Sequence, residues 1–117
     1  MKKAVTIKEN YEFRRMYRKG ASAVSGSMVI YCRKNNLGHN RLGLTVSVKV
    51  GKAVVRNRTR RRIREIYRLH EEAFLPGWDI VVVARSRSVE APFSKLTDSF
   101  LALSEKAGIL LPKDVEP

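Results

Sequence analysis

The sequence predicts an α+β sandwich: a small, mostly antiparallel sheet packed by helices, in the order helix, two or three strands, helix, strand, helix. Three observations predict it. Two segments alternate apolar and polar residues with a period of two, three segments repeat apolar residues at helical spacing, and one short run is nearly all apolar, as a strand covered on both faces must be. With 117 residues the chain is one domain, read as 1–117, and its 44% apolar content can build a core without disulfide staples.

The elements follow in order. Lys8 to Lys19 reads as a helix, with Phe13, Met16 and Tyr17 on one side. Gly20 to Ser27 is small and polar and reads as a turn with one short strand. In Met28 to Lys34, Met28, Ile30 and Cys32 point one way and Val29, Tyr31 and Arg33 the other. In Arg41 to Lys49, Leu42, Leu44, Val46 and Val48 form one face, and Gly43, Thr45, Ser47 and Lys49 the other. The short loop Asn35 to Asn40 between these two strands predicts an antiparallel hairpin. A long helix begins at Gly51 or Ala53 and runs to about His70. After a Pro76-Gly77 turn, Trp78 to Arg85 is the apolar strand, and the connector Ser86 to Pro92 leads to a closing helix, Phe93 to Ala107. Phe93, Leu96, Phe100, Leu103 and Ala107 make its stripe, Gly108 suits its C-terminal cap, and Trp78, Phe93 and Phe100 read as core. Lys113 to Pro117 reads as loose. The long helix spans enough chain for a crossover, so the strands on either side of it can run parallel.

Charge narrows the function. The chain carries 24 Lys and Arg against 11 Asp and Glu, a formal net charge of +13, and such a surplus repels itself unless an anion is at hand. Nucleic acid is the first expected partner, an anionic membrane surface the second and an acidic protein the third. Cys32 is the only cysteine, which excludes an internal disulfide and a thiolate zinc cluster. The apolar stretch after Met1-Lys2-Lys3 is too short for a secretory signal, and Ile80 to Ala84 is far below the roughly 18 residues of a membrane span. The expected setting is soluble and cytoplasmic.

The long helix carries the charge. From Arg56 to Arg68 there are seven arginines and one acid, Glu65. Val55, Thr59, Ile63, Ile66 and His70 share one sector that can pack on the sheet, and Asn57, Arg60, Arg61, Arg64 and Arg68 lie opposite. Arg56 and Tyr67 flank one edge of that sector, Arg58 and Arg62 the other. Like charges at i, i+4 destabilise a helix by roughly 0.2–0.5 kcal/mol per pair, and here the pairs Arg56–Arg60, Arg58–Arg62, Arg60–Arg64 and Arg64–Arg68 repeat that cost. A merely solvated face would intersperse glutamates. Arginine instead offers a planar fork that pairs with phosphate in two places. Asn57 adds a donor and an acceptor, and Lys49 and Lys52 extend the patch to the helix N-terminus.

A second surface is suggested by aromatic residues, on which single-stranded bases stack. Tyr31 shares a strand face with Val29 and Arg33, beside Thr45 and Ser47 if that face is open. Phe13 and Tyr17 read as core by pattern alone, with the rim of such a groove as the other reading. Chemistry of the chain's own is not suggested: His39 and His70 are far apart, and no phosphate loop, carboxylate pair, nucleophile motif or protein metal site stands out. A hydrated Mg²⁺ held by RNA phosphates would leave no mark in the sequence.

Read together, Arg41-Leu42-Gly43-Leu44-Thr45-Val46-Ser47, Lys49-Val50-Gly51-Lys52-Ala53-Val54-Val55-Arg56-Asn57-Arg58, Arg60-Arg61 and Arg64-Glu65 resemble the protein subunit of bacterial ribonuclease P, whose hallmark is the Arg-Asn-Arg at 56–58. Asn10 to Gly20 is similar to that family's first helix and Asp79 to Arg85 to its last strand, and the likeness covers most of residues 7–107. The resemblance implies the element order α-β-β-β-α-β-α with a left-handed β-α-β crossover. It also implies that the chain binds a catalytic RNA, which uses Mg²⁺ to cut the 5′ leader from precursor tRNA, and that the protein's own side chains are not catalytic. It places Lys49, Lys52, Arg56, Asn57, Arg58, Arg60, Arg61, Arg64 and Arg68 against the catalytic RNA and cleavage region. Phe13, Tyr17, Tyr31, Arg33 and Ser47 would line a cleft for the leader. Val48 departs from the pattern, standing where the family usually has a basic residue, and Lys52 replaces a common asparagine. A ribosomal or other structural RNA-binding protein is the alternative reading. An obligate protein oligomer is not expected.

Overall fold

The computed structural model describes residues 5–7 and 9–112. The C-terminal segment Lys113 to Pro117, read above as loose, lies outside the described residues, as do the first four residues and Lys8. The elements are β1 (Val5–Thr6), α1 (Asn10–Lys19), β2 (Ala21–Val24), β3 (Met28–Lys34), β4 (Arg41–Val46), α2 (Ala53–His70), β5 (Trp78–Ala84) and α3 (Phe93–Lys106). The expected order is present, preceded by the two-residue strand β1, which the sequence did not announce.

The sheet order is β1-β4-β5-β3-β2. β2 pairs with β3 and β3 with β5 in antiparallel fashion, whereas β1–β4 and β4–β5 are parallel, so the sheet is mixed. The parallel pairing of β4 with β5 is the one the crossover through α2 allows. The expected β3–β4 hairpin is absent, because β5 lies between these strands and pairs with both. The reason is burial. Ile80, Val81 and Val82 are fully buried, and only a central strand with helices on both faces can bury three successive residues. The Asn35–Asn40 loop therefore bridges two strands that flank a third.

Ile80 and Val82 face the larger core, with Met28, Ile30, Cys32 and Leu42 from the sheet, Ile63 and Ile66 from α2, and Leu96, Phe100 and Leu103 from α3. Val81 faces the other way, toward Ile7 and Met16, with Phe13, Tyr31 and Val83 packed against them. Two expectations fail in detail. β4 ends at Val46 and the chain turns through a 3-10 segment at Val48–Val50, which leaves Val48 exposed rather than on a strand face. Phe93, expected in the core, sits at the first turn of α3, where it is 38% exposed. Gly108 ends that helix's cap with φ 78, a left-handed position that suits glycine.

α1 crosses the sheet at one level. Phe13 lies over Gly43, so closely that a Cβ there would sit 2.8 Å from its ring. Tyr17 meets Tyr31 edge to face, and Gly20 approaches the Cys32 backbone. Gly43, Val81 and Tyr31 are mutual neighbours in register, so they form the row beneath the helix. The row Thr45–Val83–Val29 lies on one side of α1, and the row Arg41–Asp79–Arg33 on the other.

Candidate nucleic-acid interface

The basic helix is set up by the turn before it. Ser47 Oγ accepts the Lys49 N–H at 3.1 Å and the Ser47 carbonyl accepts the Val50 N–H at 3.0 Å, closing the turn that follows β4. Gly51 then lets the chain pass close to Val55, whose side chain lies 3.0 Å from where a Cβ would be. Arg56 Nη1 donates to the Gly51 carbonyl at 2.8 Å and fastens this loop to the first turn of α2. Thr59, Ile63, Ile66 and Tyr67 are buried on the sheet side. That is the sector read from the sequence, shifted toward Tyr67, with Val55 and His70 only half-buried.

On the opposite side Asn57, Arg58, Arg61, Arg64 and Arg68 are exposed, as are Lys49 and Lys52 at the N-terminal end. Arg60 is half-buried and its Nη1 donates to Asn57 Oδ1 at 2.8 Å, so the Arg-Asn-Arg segment holds one of its own neighbours in place. Arg60 and Arg64 together overhang a small groove at the β1–β4 edge, lined by Thr6, Ile7, Leu42 and Leu44. Arg68 is joined to Glu65 by a charge-assisted pair that holds Glu65 below the usual carboxylate range. Glu65 thus relieves Arg68 rather than the middle of the arginine run.

Sequence reasoning left Arg62 as an edge residue, and the structure gives it a different task. It donates to the carbonyls of Ser88 and Val89 at 3.2 and 3.4 Å and also to that of Ala91, tying α2 to the connector before α3. Burial there, with Arg58 nearby, pulls its pKa down. No pattern in α2 distinguishes it from its neighbours, since the carbonyls it serves are 26 to 29 residues away.

The aromatic residues expected to line a cleft lie on the other face of the sheet. Tyr17 and Tyr31 meet edge to face with centroids 5.0 Å apart, and the Tyr17 hydroxyl lies 3.1 Å from Thr45 Oγ1. Tyr17 is 40% exposed, Tyr31, Val29, Val83 and Thr45 are half-buried, and Ser47 is exposed just beyond β4. Aromatic faces beside small and apolar neighbours, open to water, can take stacked bases. Phe13 is half-buried between α1 and Gly43 and offers only part of its ring. Arg33, expected in this cleft, projects on the far side of α1, in the row with Asp79 and Arg41.

That row contains what the sequence reading missed. Arg41 Nε and Nη2 donate to the two carboxylate oxygens of Asp79 at 2.8 and 2.7 Å, Arg41 also pairs with Glu12 of α1 at 2.8 Å, and Asn35 Nδ2 donates to Asp79 Oδ1 at 2.8 Å. Burial pushes the Asp79 carboxyl up, but Arg41 and Asn35 outweigh it and hold the group below its ordinary value. The available signal was Asp79 itself, one acid at the edge of an apolar strand.

Cation ligands are not a feature of this surface. Among the described residues no group of three or more His, Cys, Asp or Glu could hold a metal ion, and the carboxylates nearest the two faces, Glu12, Asp79 and Glu65, are held by arginines. No helix among the described residues is long and apolar enough to cross a membrane.

The family model of ribonuclease P matches residues 1–108. The chain belongs to the ribonuclease P protein family. The ribonuclease P protein component of Natranaerobius thermophilus is 39% identical over 110 residues, covering 94% of this chain and 96% of that one. Its counterpart from a Thermoanaerobacter species is 46% identical over 105 residues, 90% of each. Among solved structures, the ribonuclease P protein of Staphylococcus aureus superposes with a TM-score of 0.84 at 35% identity, covering 93% of this chain and 100% of that one. That of Thermotoga maritima gives 0.77 at 30% identity, over 83% and 92%. Within this ribonuclease P protein, Val48 is 75% exposed, an apolar side chain at the surface beside Lys49.

Proposed function

We propose that this chain is the protein component of ribonuclease P, assisting removal of the 5′ leader from precursor tRNA in the cytoplasm. The α2 face bearing Lys49, Lys52, Arg56, Asn57, Arg58, Arg60, Arg61, Arg64 and Arg68 binds the catalytic RNA and the region of the cut. The cleft of Tyr17, Tyr31 and Ser47, with the edge of Phe13, holds the single-stranded leader. Mg²⁺ belongs to RNA phosphates, because this surface presents cations rather than the oxygen donors Mg²⁺ requires. The protein's share is electrostatic and positional: arginine forks neutralise crowded phosphates, and stacking fixes the leader.

The observation that carries the reading is an arginine face with one acid, itself paired to Arg68, on the helix that leads out of the cleft strand β4. A scaffolding RNA-binding protein would need the basic helix but not the open aromatic cleft. Cleavage of a precursor tRNA by bacterial ribonuclease P RNA at low Mg²⁺, with and without the protein, is the test. Strong stimulation with one cut at the mature 5′ end is expected; tight RNA binding without stimulation rejects the reading in favour of scaffolding.

The cleft has its own test. Tyr31→Ala is expected to weaken binding of a ten-nucleotide leader about tenfold, in line with roughly 1–3 kcal/mol for one lost stacking partner. A one-nucleotide leader should be unaffected. Equal losses for both leaders reject the cleft assignment.

A further inference from the structure

On the side of α1 away from the aromatic cleft is a separate cavity of about 320 Å³, bordered by Arg15, Arg33, Lys34, Arg41, Asp79 and Asn35 among others. Its charges do not balance. Asp79 is the only carboxylate in the lining, and it is taken up by Arg41 and Asn35. Arg41 is in turn shared with Glu12. That leaves two cations on this face, Arg15 from α1 and Arg33 from β3. Among the described residues, neither has a carboxylate within ion-pair distance. Lys34 also borders the cavity, but its Nζ lies 5.9 Å from the ring of Trp78, which packs on the larger core at the other face of the sheet.

The arrangement is built rather than incidental. Arg33 stands in register with Asp79 and Arg41 on the sheet, so the ion cluster sets the floor from which it rises. Arg15 follows Glu12 by three residues on the same side of α1, and the Glu12–Arg41 pair fixes that side over the cavity. Two guanidinium forks from two elements thus border a space large enough for a phosphate group with part of its sugar. Bringing two like charges together beside the already paired Arg41 is unfavourable without an anion between them. A fork matches two phosphate oxygens at once.

We infer that this cavity is a second RNA contact, in which Arg15 and Arg33 receive a backbone phosphodiester of the ribonuclease P complex, distinct from the arginine face of α2 and from the aromatic cleft. The ligand is a phosphodiester, supplied by the catalytic RNA or by the precursor's leader. The inference rests on the function proposed above, but its test does not depend on cleavage.

The experiment measures binding of Arg15→Ala/Arg33→Ala to ribonuclease P RNA alone, and of precursor tRNA to the reconstituted complex, over a range of salt. A melting curve checks that the variant is folded; neither arginine is hydrogen-bonded to Asp79 or Glu12, and Arg15 acts on Asp79 only as a nearby charge. The expected result is a loss of about tenfold in one of the two affinities and a salt slope flatter by roughly 0.7–0.9 for one lost phosphate. Loss in the first arm assigns the phosphate to the catalytic RNA; loss only in the second assigns it to the precursor. Arg15→Lys/Arg33→Lys should recover the slope, because charge is kept while the forks are lost. Unchanged affinity and slope in both arms overturn the inference. Absence of stimulated cleavage by the wild-type protein would instead count against the proposed function, and the two failures are therefore distinguishable.

Discussion

Arg60→Ala/Arg64→Ala is expected to cut the affinity for ribonuclease P RNA by one to two orders of magnitude near physiological salt. It should also flatten the plot of log affinity against log salt by about one to two units. Each phosphate neutralised by a cation contributes roughly 0.7–0.9 to that slope. These two residues are the ones that overhang a groove from the arginine face. Arg60 is held by Asn57 at 2.8 Å, so its fork is oriented before RNA arrives and loses less freedom on binding. Arg64 is exposed, with no charge on the helix to relieve it other than Glu65, which Arg68 holds. Removing the pair also removes three of the four i, i+4 repulsions, so the free protein should be no less stable than before. That sign separates a binding surface from a structural one. Arg62→Ala is the contrast on the same helix. Its donors serve the carbonyls of Ser88, Val89 and Ala91, so its loss should lower the melting temperature and leave the salt slope unchanged. Should Arg60→Ala/Arg64→Ala keep the wild-type slope, the arginine face of α2 is not the RNA contact.

The difference between Arg62 and its neighbours shows how far the sequence could be read. Helical periodicity placed Thr59, Ile63 and Ile66 toward the core and the arginines away from it, because period reports which face a residue occupies. It does not report what stands opposite. The same limit explains β3 and β4. Their alternation assigned Met28, Ile30 and Cys32 to one face correctly, but face says nothing of partner, and the pairing went to β5. The all-apolar run Ile80–Ala84 held that information, since a strand buried on both faces belongs at the centre of a sheet. For the cleft, Tyr31 was legible as a face residue. Arg33, on the same face two residues along, was separated from it by α1, whose crossing is set by the closeness of Phe13 to Gly43. No local pattern predicts where a helix crosses a sheet.

Asp79→Ala is expected to be the most destabilising single change away from the apolar core. Removing one member of a buried ion pair leaves the other without its counter-charge, which costs about 3–5 kcal/mol. Here the lower end applies, because Arg41 keeps Glu12 as a partner and is itself only partly covered, its side chain 20% exposed. A loss of about 3 kcal/mol corresponds to a fall in melting temperature of roughly 10 °C for a domain of this size. The consequence is more than local. Asp79 on β5 holds Arg41 on β4, and Arg41 holds Glu12 on α1, so one carboxylate positions the helix whose two sides carry the aromatic cleft and the Arg15 cavity. Acid should reach the same cluster by titration. The folded-state pKa of Asp79 lies below its ordinary value, so the stabilisation is fully present above the unfolded value of about 3.9 and is lost as pH falls through the lower folded value. Urea midpoints measured from pH 7 to pH 3 should therefore hold steady down to about pH 5 and fall below about pH 4. Asp79→Asn should be less stable at neutral pH and show a shallower acid decline, because an amide keeps one acceptor for Arg41 but has no charge to lose. An acid decline identical in the wild type and Asp79→Asn would mean that other carboxylates carry the pH dependence and that the Arg41 pair contributes no linkage. A melting temperature unmoved by Asp79→Ala would remove the cluster as the anchor of α1, and with it the geometric separation of the proposed leader cleft from the proposed phosphate cavity.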